Sequence, residues 1–94
     1  PRSVWNMLAI IRLRIRCYEL GIKSINRISG QIHILFGNHR LTFVMCRELM
    51  RTYRRHTFQP EKLIMNISGH RVISEVEDMV EILAKAFKKA AQNN

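Results

Sequence analysis

The stretch Ile11-Arg12-Leu13-Arg14-Ile15-Arg16-Cys17 alternates apolar and arginine residues in strict order. On its own it has the two-residue period of a β-strand, with one buried face and a ridge of guanidinium groups suited to a phosphate backbone. The flanks decide against that reading. Upstream, Val4, Met7 and Leu8 continue the apolar pattern with no two-residue period, so the spacing predicts a helix from about Ser3 to Leu20. One apolar arc of that helix holds Val4, Leu8, Ile11, Ile15 and Tyr18, and a second holds Ile10, Leu13, Cys17 and Leu20. Arg12 and Arg16 then share one polar edge, a like-charge i,i+4 spacing that costs only about 0.2–0.5 kcal/mol. Arg14 stands on another side. Gly21 follows as a left-handed terminator, and Pro1 stands near the start.

The remaining chain predicts two more helices and about three strands. Ile32, Ile34 and Phe36 alternate on one strand face, with Gln31, His33 and Leu35 on the other, and Ser29-Gly30 forms a tight turn back to a weaker strand over Ile22–Ile28. Thr42 to Arg55 reads as a helix with Thr42 as its cap. Leu63, Met65 and Ile67 alternate in a further strand bounded by Pro60 and by Ser68-Gly69. Ser74-Glu75-Val76-Glu77 has the form of a capping box. Behind it Val76, Met79, Val80, Leu83 and Phe87 mark the apolar face of a closing helix from about Glu75 to Ala91, with Glu81 and Lys85 spaced as an i,i+4 pair. The fold class expected is α+β: a small sheet of about three strands packed with three helices, the first and last long.

Composition narrows the function classes. Ninety-four residues, 47% of them apolar, make one small folded domain, residues 1–94. The two cysteines, Cys17 and Cys46, lie in apolar surroundings without paired spacing, which points to reduced thiols. No apolar run approaches the roughly 18 residues of a membrane span, and no signal-peptide pattern opens the chain, so the expected setting is the cytoplasm without a membrane partner. Opening on Pro1, the chain reads as a piece excised from a longer protein. Its formal charge is +9, and the charge is uneven: residues 1–74 carry a net +10 and residues 75–94 a net −1. A body this basic implies attraction to nucleic acid, acidic protein surfaces or anionic lipid, without choosing among them.

The first twenty-five residues carry a resemblance. Pro1, Val4, Met7-Leu8, Ile10, Leu13-Arg14, Cys17 and the run YELGIKSI (residues 18–25) resemble the opening of the C-terminal domain of bacterial transcription-repair coupling factors. The later order is similar too: a turn and strand (SGQIHILF), a helix, a strand after a proline-containing loop (QPEKLIMNI) and a closing helix (SEVEDMVEILAKAF). The resemblance implies a parent that is a large ATP-dependent DNA translocase, using ATP and Mg, which displaces stalled RNA polymerase and recruits repair proteins through a UvrA-binding module. In that family the C-terminal domain packs on the UvrA-binding module, masks it and restrains the motor. The implied role is an autoinhibitory clamp that biases a closed–open equilibrium. The arginine content departs from the family pattern, and an acidic patch on the partner module would complement it.

Catalytic and cofactor signals are weak. The glycines are scattered and no Gly-Lys-Ser/Thr sequence occurs, so no phosphate loop is expected. His33, His39, His56 and His70 lack zinc-like spacing with the cysteines. Glu75, Glu77, Asp78 and Glu81 come from two turns of one helix, where a helix N-terminus favours carboxylates without any metal. The expectation is a non-enzymatic domain with no cofactor of its own. The best nucleic-acid candidates are Arg51, Arg54 and Arg55 with Tyr53 as a base-stacking ring, joined by Arg12 and Arg16. For Tyr53 a core position is the competing role, and for the arginines a helix C-terminus.

Overall fold

The computed structural model describes residues 2–38, 40–67 and 69–92, with side chains from Val4 onward. Three helices and four strands follow one another as α1 (Arg2–Leu20), β1 (Ser24–Ile28), β2 (Gln31–Leu35), α2 (Phe43–Thr52), β3 (Thr57–Phe58), β4 (Lys62–Asn66) and α3 (Val72–Gln92). The α+β class with long first and last helices is therefore as the sequence predicts. The sheet has four strands where about three are expected, in the order β1-β2-β4-β3, all neighbours antiparallel.

Local signals place most boundaries. At the end of α1, the Ile22 amide donates to the Cys17 carbonyl at 2.9 Å and the Gly21 amide to the Tyr18 carbonyl at 3.2 Å. This is the paired closure of a Schellman motif, with Gly21 at φ +72°. Ser29 and Gly30, at φ +46° and +79°, form the two-residue turn that pairs Ile28 with Gln31. Thr42 caps α2 through its hydroxyl, which accepts the Met45 amide at 3.1 Å.

The strand expected over Ile22–Ile28 begins at Ser24, and three further elements differ from the sequence reading. The α2 helix stops at Thr52 instead of Arg55, because the Tyr53 amide closes on the Leu49 carbonyl and Tyr53 leaves helical geometry. The two residues of β3 carry no periodic signal; they are a strand because Thr57 and Phe58 pair with Ile64 and Leu63. The capping box at Ser74 does not form. The Glu75 amide already donates to the Arg71 carbonyl at 2.9 Å, so α3 starts at Val72. Val72 packs against the core one turn before Val76, and burying that extra apolar turn outweighs a cap at Ser74.

One core lies between the helices and one face of the sheet. Ile32, Ile34, Leu63, Met65 and Phe58 project from that face and meet Val76, Met79, Val80, Leu83, Ala86 and Phe87 of α3, with Cys17 from α1 and Met45 and Cys46 from α2. Register explains the layer: Ile32 stands opposite Met65 and Ile34 opposite Leu63. Phe36 meets Phe87 edge to face at 5.2 Å, and the Arg40 guanidinium covers the Phe87 ring at 4.5 Å. Cys17 and Cys46 are buried free thiols, their pKa values pushed up by burial. The other sheet face, with Asn26, Ile28, His33 and Ile64, carries no fully buried residue. Among the described residues no helix is long and apolar enough to cross a membrane.

Candidate functional site

The two apolar arcs of α1 have different fates. Leu13, Cys17 and Leu20 of the second arc pack into the core. Val4, Leu8, Ile11, Ile15 and Tyr18 of the first arc lie in solvent, exposed by 49%, 46%, 46%, 57% and 88%. At 100° per residue, the exposed arc is centred almost opposite the buried one. Met7, also exposed, stands at its margin, and Trp5, exposed too, lies farther round toward α3. A helix apolar on opposite sides is normally covered on both, so this outer row is the most conspicuous unsatisfied feature of the molecule.

Arginines border the row. Arg12 and Arg16 line the groove between α1 and α3, whereas Arg14 lines the groove between α1 and β1. The separation follows from helical spacing, as the sequence predicts. Arg16 is committed inside the domain: its Nε donates to Glu81 Oε2 at 2.8 Å and its Nη2 to Oε1 at 3.0 Å, with Glu19 at 3.7 Å. This pair holds the Glu81 carboxyl below its ordinary range and raises the Arg16 guanidinium, the hydrogen bond being the largest cause for both. The side-chain hydrogen bonds of Glu81 thus go to Arg16 across 65 residues of sequence and not to Lys85 four residues away.

The candidate cluster after α2 is spread over different settings. Arg51 is exposed in the last turn of the helix, and Arg54 is exposed in the turn that follows. Arg55 also lies in that turn, where its Nη2 donates to the Asn66 carbonyl at 3.3 Å and its own carbonyl accepts from the Asn66 side chain. Tyr53 packs on the core with its ring 6.2 Å from that of Phe58, the core role that competed with base stacking. Asn66 is the hub here, a role that no local pattern signals. Its amide donates to His56 Nδ1 at 3.2 Å, and its side-chain oxygen accepts from Gln31 Nε2 at 3.0 Å. Burial and then Arg55 push the His56 pKa down.

A second basic feature is likewise invisible to local spacing. An open cleft of about 860 Å³ separates the start of α1 from the start of α3, lined by Trp5, Arg12, Arg27, His70, Arg71 and Glu77 among others. Arg27 and Arg71 lie far from the arginine runs in sequence and are brought beside Arg12 by the hairpin and the loop before α3. Of the histidines weighed as ligands, His33 is half-buried on β2 beside Gln31, His56 is held by Asn66, and His70 lines this cleft. His39 lies outside the described residues.

No protein family, curated protein or solved structure matches the chain. The likeness to transcription-repair coupling factors therefore rests on the residues quoted above. Among the described residues, the geometry defines an α+β domain with an unpartnered apolar row on α1.

Proposed function

We propose that this chain is a non-catalytic regulatory domain that works by packing on another protein surface. The observation that carries the reading is the outer row of α1: five large apolar side chains in solvent, opposite the buried face of the same helix. The opening residues, which resemble those of the coupling-factor C-terminal domain, supply the context: an intramolecular clamp on the UvrA-binding module of an ATP-dependent DNA translocase that acts with RNA polymerase, UvrA and DNA. Masking of this kind needs a domain that docks and releases, biasing a closed–open equilibrium without chemistry of its own. The test is deletion of the domain from the parent, followed by ATPase and UvrA-binding assays. Both activities rise if the domain is a clamp; if neither changes, the clamp reading fails.

The second reading, a small basic nucleic-acid-binding module, is favoured by the cleft that collects Arg12, Arg27, Arg71 and the exposed Trp5. Guanidinium groups would hold phosphates there and the indole would stack on a base. On this reading the chain retards DNA with a steep salt dependence. Retention no stronger than that of a charge-matched control protein at physiological salt removes it.

A further inference from the structure

We infer that the outer row of α1 is the seat of an acidic amphipathic helix belonging to the partner surface. The inference rests on the docking reading above and adds the shape and charge of what docks. From Val4 to Tyr18 the row runs for about 21 Å at 1.5 Å per residue as a ridge along one helix, with grooves on either side of it. A ridge of that length pairs naturally with another helix, apolar ridge into apolar groove.

Charge fixes the character of the occupant. Arg12 borders the row on one side and Arg14 on the other, and neither has an ion-pair partner among the described residues. The β1 side is the basic one: Arg14 stands there with Lys23, and carboxylates on that flank of the partner would meet both. Arg12 instead shares its groove with Glu19, Glu77, Asp78 and Glu81, so the β1 side sets the charge of the occupant. A second copy of this chain is the wrong occupant. Row against row would place the arginines of two molecules side by side, in a chain whose formal charge is +9. The row also offers several hundred Å², below the roughly 800 Å² per partner of a standard interface. A helix seated here would therefore be one part of a larger contact, or a transient one.

The single tryptophan, Trp5, stands three residues before Leu8, about 60° round the helix toward α3, close enough to sense a helix that covers Leu8. The experiment titrates the 94-residue chain with a helical peptide of about 18 residues, carrying a leucine row flanked by glutamates, and with a twin carrying lysines instead. The acidic peptide shifts Trp5 emission to the blue with a Kd in the micromolar range at physiological salt, and the lysine twin does not. Ile11→Glu weakens the acidic peptide by about tenfold or more, as expected for an apolar contact exchanged for a charge facing glutamates. The double variant Arg12→Glu/Arg14→Glu inverts the preference between the two peptides. Circular dichroism confirms that each variant folds, since all three side chains are solvent-exposed.

Four outcomes overturn the proposal: neither peptide binds; both bind equally; sedimentation shows the chain dimerising through the row; or anionic vesicles shift Trp5 while the acidic peptide does not. Failure here leaves the clamp standing through another face, because deletion from the parent tests the clamp separately. Failure of the deletion test leaves the helix seat intact as a property of α1.

Discussion

Arg16 and Glu81 clasp α1 to α3 through two hydrogen bonds of 2.8 and 3.0 Å, side chain to side chain. The clasp is exposed, and it sits where α1 has only one inner row to hold it against the body. Because Glu81 is held below its usual value of 4.5, its contribution is present above that value and is lost as pH falls through the lowered one. Thermal melts of the wild type and Glu81→Gln should therefore differ at neutral pH and converge in strong acid. Salt should narrow the difference too, since both partners face water.

His56 sets a second pH dependence in a different window. Its Nδ1 accepts the Asn66 amide, so the ring is needed neutral, and burial lowers its pKa below the usual 6.5, with Arg55 adding to the shift and Glu75 opposing it. The unfolded chain takes up a proton as pH falls below 6.5 while the folded chain resists, so stability drops from there toward the lowered value. Urea midpoints at pH 7.5 and 5.5 should show the loss, and His56→Gln should flatten it.

Replacing Leu83, which is fully buried on α3, with alanine should cost about 2–5 kcal/mol in urea unfolding. Ile15→Ala on the outer row of α1 should change stability by less than about 0.5 kcal/mol, the range for exposed sites. A large loss from Ile15→Ala would mean that the row is already covered.

The caps are testable individually. Thr42→Ala removes the acceptor of the Met45 amide and should cost about 0.5–2 kcal/mol. Gly21→Ala forces a side chain into the left-handed region at φ +72°, at a cost of about 1–3 kcal/mol, and sets its Cβ 2.8 Å from Arg40 Nη1. The long Arg40 side chain can move aside, so backbone strain dominates. Chemical denaturation of the two variants separates the α2 cap from the α1 terminator.

What sequence could read here is what neighbouring residues determine. Gly21, Ser29-Gly30 and Thr42 each act within a few residues, and each takes the predicted role. The apolar face of α3 was equally legible, because Val76, Met79, Val80, Leu83 and Phe87 repeat at one period and all are buried. Periodicity could not choose between the two arcs of α1, since both are apolar; the choice is made by the body on which the helix lies. Nor could it see Arg16 reaching Glu81, Asn66 tying three segments together, or Thr57-Phe58 becoming a strand through its partner. The start of α3 misled for a related reason. A well-formed local cap competed with a tertiary contact of Val72, and the contact won.

Facing the core, the inner row of α1 holds Cys17, 9% exposed, while Trp5 on the flank toward α3 is 70% exposed. One helix thus carries two native reporters, one for each of its sides. Thiol labelling of Cys17 would time the peeling of α1 from its own body, with buried Cys46 on α2 as the clock for global opening. Emission from Trp5 would time the arrival of a partner. Whether the helix trades one neighbour for the other, or holds both at once, is then a question of two rates measured without substituting a residue.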